Sequence, residues 1–213
     1  NTMLWFASDN GPEGMTADQG TNRGVTGGMR GRKRSLFSGG VNVPALLEWP
    51  GHVPRGKTID ATCSTLDYVP TILQVTAARM PGKQRPIDGE SLLPLLAGKT
   101  SARSTPLYFR YLDPKRAMHD SPTIAMLEGK YKFLTNLSEN GEEDMLFDIV
   151  ADRAETRTLL AQNAKLAHSM KQRLREWIDS CNASHSGADY DGPFTPLEPF
   201  SAVTGKWPGK AEN

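Results

Sequence analysis

Apolar positions in the first fifty residues form two extended runs on either side of a long polar loop. Residues 2–8 and 43–49 are apolar over lengths typical of strands, and we predict that both are inner strands of a sheet. Residues 10–40 hold nine glycines and have no apolar periodicity. Because long loops without secondary structure are uncommon in compact domains, this one is predicted to be functional or disordered.

Two short helices are predicted after the second strand. Thr65 or Asp67 can cap a helix that continues through Tyr68. Residues 91–96 are typical of a shorter helix closed by Gly98, because glycine readily ends a helix.

The pattern changes near Thr105, where short apolar runs alternate with turn residues. Gly129 lies between two of these runs and predicts a β-hairpin. Apolar residues then recur on one face over residues 155–181, which predicts a long amphipathic helix. Such a helix over a small antiparallel sheet is a common α+β unit. The predicted strands cover residues 107–109, 123–127, 131–135 and 145–149.

These patterns divide the chain at two positions. We predict one domain over 1–104, a small α+β domain over 105–190 and a tail rich in glycine, proline and serine over 191–213. Because the chain starts within a predicted strand and without an initiator Met, we expect it to be the C-terminal part of a longer protein. In the isolated chain, residues 2–8 and 43–49 would then expose apolar faces.

The composition argues against strong electrostatic steering. Lys and Arg number 25 and Asp and Glu 24, so we expect neither a nucleic-acid partner nor attraction to an anionic membrane. No apolar run reaches the roughly 20 residues of a membrane span. Cys63 and Cys181 fall in different predicted domains, which favours buried free thiols over a disulfide.

Candidate chemistry begins where the first strand ends. Asp9 and Asn10 follow this strand, and both side chains offer oxygen, the ligand that Ca²⁺ and Mg²⁺ prefer. The triplet that ends in Gly11 is also good turn sequence, and alone it favours a turn.

Lys33 is the second candidate. It lies in a loop rich in glycine and arginine, a composition that brings positive charge and backbone N–H groups to an oxyanion. The alternative is a solvated charge among the arginines around it. A cation site together with this lysine indicates a hydrolase of sulfate or phosphate esters.

At these residues the chain resembles the sulfatase family. This resemblance implies an α/β fold: the C-terminal portion of a sulfatase-type α/β sandwich domain, followed by a small α+β domain with a long C-terminal helix. The similar blocks occur in the family's order at residues 6–11, 28–33, 37–44, 49–51, 67–73 and 88–98.

The resemblance also implies roles for individual residues. Asp9 and Asn10 would bind one Ca²⁺, with Mg²⁺ as the alternative, and Lys33 would contact the sulfate oxygens. Arg116 and His119 lie in a segment that in sulfatases reaches toward the substrate, so both are candidate substrate-binding residues. Gly39 and Gly40 are expected to shape the backbone. Related phosphatases place histidine after this aspartate, so Asn10 favours the sulfatase branch.

The family's nucleophile is a cysteine oxidised to formylglycine within a Cys-x-Pro-x-Arg motif. Neither Cys63 nor Cys181 fits that motif, so a missing N-terminal half would supply the nucleophile and the isolated chain is predicted to be inactive. Arg32 and Ser38 stand where glycine and glutamate are frequent in the family.

The resemblance leaves three kinds of function open. The first is hydrolysis of a sulfated small molecule or glycan by an exported, periplasmic or secreted enzyme. The second is metal-dependent hydrolysis of phosphoesters or phosphonates. The third is a non-catalytic role, as a pseudoenzyme or a binding module.

Overall fold

The computed structural model describes residues 2–14, 24–80, 86–112 and 120–190. A 3₁₀ turn at Thr65–Asp67 leads directly into the second helix. In chain order the elements are β1 (Leu4–Ala7), α1 (Ser38–Val41), β2 (Ala45–Glu48), α2 (Tyr68–Thr76), α3 (Leu93–Leu96), β3 (Leu107–Arg110), β4 (Ile124–Glu128), β5 (Tyr131–Thr135), β6 (Met145–Asp148) and α4 (Ala164–His185).

The first two strands pair with each other in an antiparallel ladder. Trp5 stacks on Tyr68 of α2 with ring centroids 4.3 Å apart, so one face of the pair is packed. On the other face Leu4, Phe6 and Leu46 are 60%, 59% and 68% exposed. The two predicted strands and the exposure of an apolar face in this chain are therefore confirmed, whereas their position inside a larger sheet stays a prediction.

The predicted α+β unit is also confirmed. Strands β3 to β6 form a four-stranded antiparallel sheet in sequence order, with α4 packed on it. The predicted hairpin joins β4 to β5, where Glu128 pairs with Tyr131 around Gly129, whose φ is +55°. Positive φ is a conformation that glycine adopts without steric cost, which suits this tight turn.

Both faces of this sheet are buried. Successive side chains of a strand point to opposite faces, so each strand contributes to two clusters. The first cluster lies under α4 and contains Ile124, Met126, Phe133, Leu146, Ala167, Met170 and Leu174. The second lies on the opposite face and contains Leu36, Phe37, Ala125, Leu134 and Phe147.

The second face is covered by a segment from the glycine-rich loop. Phe37 is fully buried and meets Phe147 edge to face, with centroids 6.3 Å apart. The backbone N–H of Leu36 donates to Ser121 Oγ at 2.9 Å, which fixes this segment against the chain before β4. The end of the predicted loop thus belongs to the core of the C-terminal unit. The division at residue 104 stays a prediction.

Helix α4 begins at Ala164, so the predicted start at residue 155 is wrong. Glu155 has φ of +52°, which a right-handed helix does not accommodate. The Asp152 carboxylate accepts hydrogen bonds from the amides of Thr156 and Arg157 at 2.8 and 2.9 Å. These contacts hold a loop where the periodicity predicted the first turns of the helix.

Asp67, one of the two predicted cap residues, is the N-cap residue of α2, but its side chain makes no capping hydrogen bond to that helix. Ser64 precedes the 3₁₀ turn, its Oγ accepts from Leu66 N, and its own N–H donates to the Asp67 carboxylate at 2.7 Å. Asp67 is fully buried and also pairs with Arg103 at 2.6 Å. This carboxylate therefore ties the turn to the chain before β3.

The two cysteines are free, as predicted, but they are not buried. Cys63 is exposed and Cys181 is half-buried. Within the described ranges, no helix combines the length and the apolar character that crossing a membrane requires.

Candidate active site at the end of the first strand

Asp9 and Asn10 form a tight turn directly after β1. The Asp9 carboxylate accepts the Asn10 amide at 2.9 Å, and Ser8 Oγ donates to the Asn10 carbonyl at 2.8 Å. Asp9 is exposed, whereas Asn10 is half-buried and its Oδ1 is enclosed without a hydrogen-bond partner. The turn therefore leaves one buried side-chain oxygen unsatisfied beside a carboxylate.

This pair of oxygens fits a hard cation. An enclosed oxygen without a partner is costly in free energy, and coordination of a cation would satisfy it. Over the residues that the structure describes, no cluster of three or more His, Cys, Asp and Glu side chains is present. Ca²⁺ takes roughly six to eight oxygen ligands, so Asp9 and Asn10 supply only a part of such a site.

Close glycine packing fixes this turn to α1. The Gly11 amide donates to the Gly40 carbonyl at 2.8 Å. A Cβ on Gly11 would overlap the Gly39 carbonyl oxygen, and one on Gly39 would overlap the Gly31 carbonyl. The prediction that Gly39 and Gly40 shape the backbone is thereby confirmed, since a Cβ on Gly40 would overlap the carbonyl oxygen of Ser35.

Lys33 lies on the same open cleft as Asp9 and Asn10. Its amide donates to the Pro12 carbonyl at 3.1 Å, so its backbone is attached to the segment that follows Asn10. Its Nζ lies 3.8 Å from the Glu13 carboxylate. The structure therefore places Lys33 on the cleft that Asp9 and Asn10 also line.

Glu13 is a site residue that the sequence analysis missed. Its carboxylate pairs with the Arg34 guanidinium and lies beside Lys33. The hydrogen bond from Arg34 holds the pKa of the Glu13 carboxyl below its ordinary value. The available signal was the position of this single acid three residues after Asn10, opposite a basic loop.

Arg32 and Arg34 both make contacts within the loop that carries Lys33. Arg32 Nη2 donates to the carbonyls of Glu13 and Gly24 at 3.1 and 3.0 Å. Arg34 pairs with Glu13 as described above. Both guanidinium groups therefore help hold the loop that carries Lys33.

Arg116 and His119 lie outside the described residues. Their substrate-binding role stays a prediction.

Known proteins with similar sequences are sulfatases. The family model described as N-sulphoglucosamine sulphohydrolase, C-terminal, matches residues 31–180. Arylsulfatase A of Bos taurus is 32% identical over 90% of this chain and 40% of its own length. Steryl-sulfatase of Homo sapiens is 34% identical over 52% of this chain and 19% of its own length.

A solved structure shares the fold of this chain. The crystal structure of Ps i-CgsB in complex with k-i-k-neocarrahexaose superposes with a TM-score of 0.67 at 26% identity, covering 83% of this chain and 36% of that one. The chain spans about two fifths or less of the length of these relatives. The chain belongs to the sulfatase family, and it corresponds to the C-terminal part of those proteins.

Proposed function

We propose that the protein containing this chain hydrolyses sulfate esters and that the cleft beside β1 is part of its active site. The observation that carries the proposal is the enclosed, unpartnered Oδ1 of Asn10 beside the Asp9 carboxylate. Lys33 lies on the same cleft, as the sulfatase resemblance implies. A cation site next to a lysine suits an anionic ester that develops further charge as it is cleaved.

Each residue has a distinct task in this proposal. Asp9 and Asn10 would hold a divalent cation, Ca²⁺ or alternatively Mg²⁺, together with ligands from the N-terminal part of the protein. A bound cation would act as a Lewis acid on the sulfate group. The Lys33 ammonium would bind a sulfate oxygen and stabilise the negative charge that grows as the S–O bond breaks. Formylglycine in the N-terminal part would serve as nucleophile.

The proposed substrates are sulfated small molecules or glycans. Ps i-CgsB was crystallised with k-i-k-neocarrahexaose, which supports a glycan as one candidate. Export stays a prediction that rests on the family resemblance. The isolated chain is proposed to be inactive and to bind Ca²⁺ weakly, because two oxygen ligands are too few for this ion.

Replacing Asp9 tests the cation site. In the full-length protein, Asp9→Ala should lose bound Ca²⁺ and most activity while the fold survives, because Asp9 is exposed and its carboxylate accepts a hydrogen bond from the adjacent amide. Metal content, circular dichroism and kcat with an aryl sulfate provide the readouts. Asp179→Ala, at an exposed position on α4, is the matched control. Wild-type metal content and kcat in Asp9→Ala would contradict the site.

Replacing Lys33 tests the sulfate-binding role. Lys33→Ala should lower kcat/KM for a sulfate ester by roughly 10²-fold, as expected for loss of one group that stabilises charge in the transition state. Lys99→Ala, at an exposed position, is the control. Paired sulfate and phosphate esters of the same alcohol separate a sulfatase from a phosphoester hydrolase. A Lys33→Ala enzyme within about threefold of wild type would not fit this role.

A further inference from the structure

A charged pair is enclosed between the C-terminal sheet and the glycine-rich loop. Lys132 Nζ on β5 lies 2.9 Å from Glu155 Oε1, and the two side chains are 1% and 0% exposed. Burial lowers the pKa of Lys132, while the Glu155 carboxylate opposes that shift. Removing two charges from water is costly, and apolar residues of similar volume often stabilise a fold equally well. Stability alone is therefore a weak explanation for the pair.

Both charged groups contact Ser38, the first residue of α1. Glu155 Oε2 accepts the Ser38 amide at 2.6 Å, and Lys132 Nζ donates to Ser38 Oγ at 3.3 Å. The Glu155 carbonyl also accepts Arg30 Nη1 at 3.4 Å, and the Arg30 guanidinium lies 3.8 Å from the centroid of Phe37. Glu155 makes these contacts from a backbone with φ of +52°, which is rare for glutamate.

From Ser38 the contacts continue to the candidate cation site. The Gly39 amide donates to the Arg30 carbonyl at 2.6 Å, and the Gly40 carbonyl accepts the Gly11 amide at 2.8 Å. Neither Gly40 nor Gly11 has room for a side chain. Gly11 directly follows Asn10, so a short, closely packed backbone path joins the buried pair to the proposed cation ligands.

We propose that Lys132 and Glu155 are positioning residues for the candidate active site. They fix the start of α1 through Ser38, and α1 in turn fixes the Asp9–Asn10 turn through Gly40 and Gly11. The effect of these two residues on catalysis rests on the proposed function. The contacts by which they position the Asp9–Asn10 turn are a property of the fold and do not depend on that function. The C-terminal unit would thus contribute to catalysis without contact to the substrate.

The decisive variant keeps the volume of the pair and removes its polar contacts. In the full-length protein, Lys132→Met combined with Glu155→Met replaces two buried charges by apolar groups, a change that often preserves stability. It also removes the acceptor for the Ser38 amide. A positioning role predicts a folded protein in which the Gly11, Gly39 and Gly40 amides exchange about tenfold faster. It also predicts that kcat/KM for a sulfate ester falls by about 10- to 100-fold, because small displacements of reacting groups are costly.

Three single variants keep the test informative if the double variant folds poorly. Glu155→Gln retains an oxygen that can accept the Ser38 amide, so its loop amides should exchange more slowly than those of Glu155→Ala. Lys171→Met is the control, because Lys171 pairs with Asp144 at 2.8 Å and its side chain is only 14% exposed. It should lower the midpoint of unfolding without changing exchange at the three glycine amides.

The outcomes separate this inference from the proposed function. Faster exchange at the three glycine amides in a protein whose wild type cleaves no sulfate ester would support positioning and refute the sulfatase proposal. In an active sulfatase, wild-type exchange in the double variant would overturn the positioning role. Faster exchange with unchanged kcat/KM would overturn it as well.

Discussion

The C-terminal unit and the β1–β2 region differ in how completely they bury their apolar residues. In the C-terminal unit both faces of the sheet are covered, and Met126, Phe133 and Leu146 are fully buried. In the β1–β2 region, Leu4 and Phe6 remain 60% and 59% exposed. The two regions therefore gain very different amounts of free energy from the same residue types, because hydrophobic stabilisation follows the apolar area removed from water.

The candidate active site depends on both regions. Asp9 and Asn10 follow β1, whose apolar face is open, but Gly11 is attached to Gly40 within the segment that covers the second face of the C-terminal sheet. A cation site needs ligands held in fixed positions, and β1 with its single described partner strand provides little rigidity by itself. Because the C-terminal unit is the better packed of the two regions, we infer that its contact with Gly11 holds the Asp9–Asn10 turn in position.

The strongest test of this contrast compares two phenylalanines. Phe37→Ala should destabilise the chain by about 3–5 kcal/mol, because Phe37 is fully buried against the sheet. Phe6→Ala should change stability by less than about 0.5 kcal/mol in the same chain, as is usual for exposed positions. Urea unfolding of both variants measures the difference. Equal losses would show that the open face of β1 is packed in solution.

Features with local signals were predicted correctly from the sequence. Predicting the hairpin required only a glycine between two short apolar runs, and predicting the long helix required only apolar residues that recur on one face. The start of α4 was not predictable from periodicity, since the side chain of Asp152 and the backbone of Glu155 override the pattern there. Local capping contacts compete with helix formation in this way.

The packing of the segment around Phe37 on the second face of the sheet was not predicted, because the residues in contact there are far apart in the sequence. Ser38 and Glu155, which hold this segment in place, are 117 residues apart. A signal was nonetheless present in β4, Ile124–Glu128, which begins with four apolar residues instead of alternating with polar ones. Such continuous runs are typical of strands buried on both faces.

The candidate site was predicted mainly through family resemblance. Asp9, Asn10 and Lys33 belong to blocks similar to sulfatases, whereas Glu13 and the Lys132–Glu155 pair have no such signal. Isolated charged residues in a sequence are normally solvated, and only the structure reveals that Lys132 and Glu155 are enclosed together.

A smaller effect is expected from disturbing the connection between the two regions. Gly11→Ala places a Cβ against the Gly39 carbonyl and should displace the Asp9–Asn10 turn. We expect kcat/KM in the full-length protein to fall by about tenfold or more, while the C-terminal unit keeps its stability. Ser180→Ala, at an exposed position on α4, is the control. An active Gly11→Ala enzyme would show that the turn tolerates movement relative to α1.

The smallest expected effect concerns Glu13 and acidic pH. The hydrogen bond from Arg34 lowers the pKa of Glu13 from its ordinary value of 4.5, so the ionised form is the one that the fold favours. This contribution is therefore fully present above pH 4.5 and is lost as the pH falls through the lowered pKa. The effect should be small and local, because the pair is partly exposed to water.

NMR titration of the chain measures this local change directly. The Lys33 amide, which donates to the Pro12 carbonyl beside Glu13, should shift with a midpoint below pH 4.5. The Glu13→Gln variant cannot ionise at this position and should lack that titration. A midpoint at or above the ordinary value, or the same titration in Glu13→Gln, would mean that Glu13 does not hold the Lys33 loop. In that case the hydrogen bonds of Arg32 and of the Lys33 amide to backbone carbonyls would be left to hold the loop.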